Sequence, residues 1–347
     1  MTNFMSITEF FFTIVIGIYF LTQLTSNKND YSAMEKDSKE ELERLNAMRK
    51  NKLTEPLTEQ ARPKSLNEIV GQEDGVKALT IALGGKNPQH ILIYGPPGVG
   101  KTAAARVVLD YVKRYDESPF CMNAPFIEVD ATTMHYDERS IADPLIGSVH
   151  DPIYQGAGAY GTPGVPQIKE GAVSRAHGGV LFIDEIGELP NQQLNRLLKV
   201  LEDRNVKFES AYYSKSNKNI PMHIHNVFKN GIPADFRLIG ATTKSPESIP
   251  DALRSRCIEI YFKPLSSQDI QTILLNATLK LDIEVSPMLI RYISAFTKNG
   301  RDSVKILQML ASKLAFEKRT VAEQEDVDWI LKAGHYIKHL PVLEDIS

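Results

Sequence analysis

Cysteine is almost absent from this chain: Cys121 and Cys257 are the only two among 347 residues, and neither sits in a CxxC or Cys/His spacing. That pattern argues against a disulfide framework and fits a reducing compartment. A surplus of charge of either sign is also missing. Lys and Arg total 40 against 43 Asp and Glu, for a net charge of −3, so no electrostatic footprint for nucleic acid exists and no nucleic-acid partner is expected. His223 and His225 alternate in Pro221-Met222-His223-Ile224-His225 with no acid or cysteine beside them. They read as surface or strand histidines rather than metal ligands. What remains is ordinary globular usage, 42% hydrophobic and 24% charged, in a chain long enough for two or three structural units.

The N-terminus departs from that average. Phe4 to Leu24 contains one ionisable residue, Glu9, and about twenty such residues in a helix would cross a hydrocarbon layer. No Lys or Arg precedes this run, whereas Lys28, Lys36, Lys39, Arg44, Arg49 and Lys50 follow it, which places the rest of the chain in the cytoplasm. A cleaved signal peptide lacks support, because a basic n-region and a small-residue cleavage site are both missing. The expectation is a transmembrane anchor over residues 1–26 and a charged helical linker over 27–60. Met34, Leu42, Leu45 and Met48 form a sparse apolar stripe along that linker.

The densest chemical signal is Gly95-Pro96-Pro97-Gly98-Val99-Gly100-Lys101-Thr102, directly after the apolar run His90-Ile91-Leu92-Ile93-Tyr94 and before the helix-forming Ala103-Ala104-Ala105-Arg106-Val107-Val108-Leu109. It fits G-x-x-x-x-G-K-[ST] between a strand and a helix. Glycines let backbone N–H groups turn toward phosphates. The helix points its positive end at the same anion. Lys101 would add a full charge on the β/γ-phosphates, and the Thr102 hydroxyl could ligate Mg²⁺.

A second segment, Gly178-Gly179-Val180-Leu181-Phe182-Ile183-Asp184-Glu185, is a turn, an apolar run and two adjacent carboxylates. Such a run suits a strand buried on both faces of a parallel sheet, with its acids at the crevice where α/β sheets bind ligands. Asp184 is placed to hold Mg²⁺ through water, and Glu185 to polarise a water attacking the γ-phosphate. The fold class expected is α/β, a P-loop parallel sheet sandwiched by helices. Further strands are expected at Phe126–Asp130 and Phe236–Ala241, and a helix at Asn191–Glu202, with apolar residues at 194, 197, 198 and 201. Phe208 to Asp235 reads as an irregular polar excursion of strands and turns.

With these motifs in place the chain resembles the AAA+ ATPases, and within them the membrane-anchored Lon-like proteases of the LonB type found in spore-forming bacteria. Besides the two Walker motifs, the resemblance is carried by Ile69-Val70-Gly71-Gln72-Glu73, Gln155-Gly156-Ala157-Gly158-Ala159-Tyr160-Gly161, Leu238-Ile239-Gly240-Ala241-Thr242-Thr243, Ala252-Leu253-Arg254-Ser255-Arg256-Cys257 and Asn299-Gly300-Arg301-Asp302. It implies an AAA+ domain over 61–263, an all-α lid over 264–337 and a tail over 338–347. It implies that Ile69 and Val70 line the adenine pocket. Tyr160, with Tyr154 second, would lie on a pore loop that grips polypeptide. Thr243, rather than Thr242, would be the first sensor and Arg301 the second. Arg256 would be an arginine finger completing a neighbour's site, which implies a homo-oligomeric ring, with a hexamer expected.

A LonB-type protein continues into a peptidase domain with a Ser-Lys dyad, and this sequence stops at Ser347. Two functions are therefore expected in order of preference. The first is an ATP-hydrolysing motor that unfolds or translocates polypeptide toward a peptidase domain or subunit. The second is a stand-alone membrane-tethered remodeller or switch.

Overall fold

The computed structural model describes residues 16, 39, 41–50, 53–134, 143–150, 166–210, 213–215, 220–281 and 283–336. Nearly all of the expected anchor, the start of the linker, Tyr154, Tyr160 and the tail lie outside the described residues. Among the described residues, no helix is long and apolar enough to cross a membrane. The chain divides into two units, Met1–Glu55 and Pro56–Ser347. In the first, residues 41–50 are helical and expose Leu42, Leu45 and Met48.

The second unit is built on five parallel strands: β1 (His90–Tyr94), β2 (Phe126–Asp130), β5 (Val180–Asp184), β8 (Arg237–Thr242) and β9 (Cys257–Tyr261), in the order β2-β5-β8-β1-β9. The three inner strands are apolar nearly throughout because helices cover both faces. Ile91, Leu92, Ile93, Leu181, Phe182, Ile183, Leu238 and Ile239 are fully buried. Gly240 lies opposite Leu92 and Ile183. A Cβ there would sit 2.7 Å from Ile186 and 2.8 Å from Leu92, so the glycine permits close packing over the sheet. Because β8 separates β1 from β5, the residues that follow all three strands lie side by side along one edge.

One face carries α2 (Glu73–Gly84) and α3 (Lys101–Val112), whose apolar residues join those of the sheet. The opposite face carries α4 (Ala172–Arg175) and α5 (Asn191–Asp203), with Leu194, Leu197 and Val200 inward. A short helix, α1 (Leu57–Gln60), precedes them. After β9 come the helices α8 (Ser267–Thr278), α9 (Pro287–Ala295), α10 (Gly300–Phe316) and α11 (Gln324–Ala333). Side chains start the first three: Ser266 with Asp269 in a capping box, Ser286 ahead of Pro287, and Asn299 accepting from the Asp302 amide. Each satisfies backbone donors that the first helical turn leaves open.

One stretch differs from the sequence reading. The span 208–235 contains a helix, α6 (Met222–Asn230), flanked by a small antiparallel pair, β6 (Asn205–Val206) with β7 (Ile232–Pro233). Ile224, Val227 and Phe228 stand at i, i+3 and i+4, and Pro221 leads in with φ −59°, a proline-set angle that suits a helix start. His223 and His225 are therefore helical residues, not strand residues. His223 is exposed, and His225 Nδ1 lies 3.0 Å from the Tyr213 hydroxyl. Gln167–Glu170 is a strand, β4, paired antiparallel with β3 (Gly147–His150). The short helix α7 (Asp251–Arg254) leads into β9, an edge strand the sequence reading passes over.

Candidate nucleotide site

The loop after β1 turns back on itself before α3. Gly98 and Gly100 have φ of +75° and +95°, values that favour glycine, and Gly100 is the residue that opens α3. Val99 is buried and anchors the loop between them. Lys101 is only 7% exposed. Its ammonium donates to the Gly95 carbonyl at 2.7 Å and the Pro96 carbonyl at 3.0 Å, so the lysine braces the loop that precedes it. Pro96 and Pro97 fix φ on the entry side. Burial pulls the Lys101 pKa below its ordinary value, Glu185 and Asp184 pull it up, and Arg301 pulls it down again. Three charges thus act on the Lys101 ammonium.

Asp184 ends β5, and its Oδ1 accepts from the Glu185 amide at 3.1 Å. Burial holds its carboxyl above the usual carboxylate range, assisted by the neighbouring Glu185 charge. Glu185 itself has φ 49° and ψ 47°, a left-handed conformation that costs a non-glycine residue about 1 kcal/mol or more. The turn aims its carboxylate at the end of β8. There, Glu185 Oε2 accepts from both the amide and the hydroxyl of Thr243, each at 3.1 Å. Thr242 is fully buried, and its hydroxyl accepts from the Lys244 amide at 3.1 Å. Of the two threonines, Thr243 is the one that touches the acid.

Ile69 and Val70 are half-buried and precede a turn at Gly71, with φ +76°. A Cβ on Gly71 would lie 2.8 Å from the Asp269 carboxyl. Gln72 is buried and pairs twice with the backbone of Lys263, donating to its carbonyl at 2.7 Å and accepting from its amide at 3.0 Å. The turn is thereby fastened to the segment leading into α8. Sequence reasoning reaches Gln72 only as one letter of a motif, since pairing across 191 positions leaves no local signal. At the other end, a Cβ on Gly98 would lie 2.9 Å from Asn299 Oδ1. Arg301 stands in the first turn of α10, which Asn299 caps, so the phosphate loop and the start of α10 are in contact.

Arg256 is placed apart from this cluster. Its two terminal nitrogens donate to the Ala252 carbonyl, at 2.6 Å, and to the Glu202 carboxylate. Arg254 donates to Glu259 at 2.7 Å, and the Tyr261 and Tyr94 hydroxyls donate to the same carboxylate at 3.0 and 3.5 Å. Tyr160 lies outside the described residues.

The donor set also bears on a metal. Among the described residues, no group of three or more His, Cys, Asp or Glu could hold an ion by protein ligands alone. Mg²⁺ instead takes one or two protein oxygens together with waters and phosphates. The Thr102 hydroxyl at the start of α3 and the half-buried Asp184 carboxylate supply that kind of set, so these residues fit the ion.

The comparisons with known proteins agree with this geometry. Residues 65–266 match the family described as magnesium chelatase, subunit ChlI. The chain is 53% identical over 326 residues to Lon protease 2 of Bacillus subtilis, an alignment covering 94% of this chain and 59% of that protein. The chain therefore spans about six-tenths of that relative's length. It is 26% identical over 285 residues to the Holliday junction branch migration complex subunit RuvB of Thermotoga petrophila, covering 78% of this chain and 68% of that one. In three dimensions it resembles the Thermotoga maritima RuvB branch migration motor, with a TM-score of 0.52 at 21% identity over 79% of this chain and 72% of that chain, a likeness of fold. The chain belongs to the magnesium chelatase subunit ChlI family and is an AAA+ ATPase module, similar along nearly its whole length to Lon protease 2.

Proposed function

We propose that this module binds ATP with Mg²⁺, hydrolyses it, and uses the cycle to unfold or translocate polypeptide as the ATPase part of a Lon-like ATP-dependent protease. The observation that carries the proposal is the Glu185 carboxylate, held by Thr243 beside Asp184 and within the field of Lys101. Lys101 and the loop from Gly95 to Thr102 take the phosphates. Glu185 accepts a proton from the attacking water, Thr243 orients Glu185, and Arg301 reports the phosphates to the lid. Ile69 and Val70 face the adenine. Thr102, and Asp184 through water, would hold Mg²⁺, which would neutralise charge on the phosphoryl oxygens.

Three further parts of the proposal concern partners. A homo-oligomeric ring, taken to be a hexamer, lets Arg256 of one subunit reach the nucleotide of the next. Tyr160 grips the polypeptide in the ring's channel, and a peptidase domain or subunit receives it. Residues 4–24 tether the assembly to the membrane, with the bulk of the chain on the cytoplasmic side. The support for these is the 53% identity to Lon protease 2 and the residue pattern.

The test pairs hydrolysis with complementation. Lys101→Ala should lose ATP binding, and Arg256→Ala should keep it while losing turnover by roughly a thousandfold. Mixing the two inactive variants should restore activity, because the intact phosphate loop of one subunit meets the intact Arg256 of its neighbour. A mixture that stays inactive while light scattering shows assembled rings would remove Arg256 from this role. Unfolding of a tagged fluorescent protein that proceeds equally with and without ATP would remove the motor reading.

A further inference from the structure

Arg256 is exposed, but its guanidinium is held by its own subunit. One terminal nitrogen donates to the carbonyl of Ala252, one turn back in its own chain, at 2.6 Å, and the other donates to the carboxylate of Glu202 near the end of α5. Those nitrogens form the fork that a guanidinium presents to a phosphoryl group. Glu202 therefore occupies the position on Arg256 that a neighbour's γ-phosphate would take.

The location of Glu202 is locally unfavourable. It is followed by Asp203 at the C-terminus of α5, where Arg204 ends the helix in a left-handed conformation. Carbonyl dipoles already concentrate negative charge there, so an acidic side chain weakens the helix end unless a cation covers it. Arg256 supplies that cation from the turn between α7 and β9, 54 residues away in the chain. Sequences tend to break local rules at working positions. The pair is also accessible, with side-chain exposures of 36% for Arg256 and 55% for Glu202, and pairs of that exposure are weak and exchange readily.

We infer that Glu202 is a positioning residue that parks Arg256 on its own subunit, so that the finger is released only when a competing anion of higher charge, the γ-phosphate of a neighbour's ATP, draws it away. A monoanionic carboxylate holds the guanidinium when the neighbour carries ADP, which lacks that phosphate. A nucleoside triphosphate outcompetes it. The exchange trades one charge-assisted pair for another and couples finger engagement to the nucleotide across the interface. This inference rests on Arg256 completing the neighbouring site.

Glu202→Gln keeps the shape and removes the charge, and the exposed position tolerates the change. Steady-state ATPase of the full chain, measured at fixed ATP across a protein dilution series, reads the effect. The variant should turn over roughly two- to fivefold faster at low protein concentration, the scale of an exposed pair, and ADP should inhibit it less. Glu202→Asp should restore the parent's behaviour. Unchanged curves overturn the inference, and slower turnover in Glu202→Gln overturns it in favour of Glu202 orienting the finger. The double variant Glu202→Gln with Arg256→Ala should match Arg256→Ala alone. If Arg256→Ala by itself keeps full turnover, the finger reading fails and the parking inference falls with it, whereas a dead Arg256→Ala beside an unaltered Glu202→Gln overturns parking alone.

Discussion

Thr243 grips Glu185 with two donors on one oxygen: its amide and its hydroxyl each lie 3.1 Å from Glu185 Oε2. The amide belongs to the chain just after β8 and keeps its place in any substitution, whereas the hydroxyl can be removed. That division separates what the backbone fixes from what the side chain contributes.

Thr243→Val should therefore lower ATP turnover by about tenfold to a hundredfold while leaving nucleotide affinity nearly unchanged. Glu185→Gln should cost more, about 10²- to 10⁴-fold, the usual worth of a general base, and should accumulate bound ATP. Single-turnover kinetics with filter binding checks both. Equal turnover in Glu185→Gln and the parent would remove Glu185 from the role of base.

His90 makes stability depend on pH. Its ring Nδ1 accepts from the Leu238 amide at 3.0 Å, and burial, with Arg237 and Arg204 nearby, lowers its pKa to about 4 from an ordinary 6.5. A depressed histidine pKa means that the unfolded chain binds the proton first. The contribution is intact above pH 6.5 and is lost progressively as pH falls toward 4, by about 3 kcal/mol in total. His90→Asn, which offers an acceptor in the same place without titrating, should flatten that part of the stability curve in urea titrations between pH 4 and 7.

Asp326 ties α11 to α10. Its buried carboxylate pairs with Lys313 at 2.5 Å and Arg319 at 2.6 Å. Burial alone would raise its pKa, but Arg319, Lys313 and the Glu323 amide outweigh that and hold it at about 2. The folded value lies below the unfolded one, so the stabilisation is present above about pH 4 and disappears as pH falls through 2. Asp326→Asn should cost about 2 kcal/mol at neutral pH and lower Tm by several degrees. A melting curve unchanged at pH 7 but shifted at pH 2 would contradict the sign.

The two cysteines should differ sharply in reactivity. Cys121 is exposed, while burial and the nearby Glu259 push the Cys257 thiol up to about 12, where almost no thiolate exists at neutral pH. A maleimide at pH 7 should modify Cys121 within minutes and reach Cys257 only after denaturation, as peptide mapping would show.

The parts of this protein legible in its sequence are those whose physics is local. His90–Tyr94 reads as a strand because a short apolar run ahead of a glycine turn has few other uses, and the structure has it with the same bounds. The phosphate loop, the acids at the end of β5 and the helix at Asn191 are legible for the same reason, since spacing within about ten residues carries them. The helix at Met222–Asn230 escapes that reading because its apolar positions are few and polar residues surround them.

Partnerships that close over long stretches of chain were decided only by the tertiary structure. The strand order that inserts β8 between β1 and β5 brings Thr243 to Glu185 across 58 positions. Thr242, the last residue of β8, is buried instead, and its hydroxyl accepts from the Lys244 amide. Gln72 meets Lys263, Glu202 meets Arg256, and Gly98 makes room for Asn299, none of them marked by a local pattern. A sequence fixes which side chains exist and which short elements they form. Which of them touch follows from packing one layer against another, where the burial of the whole sheet sets the register.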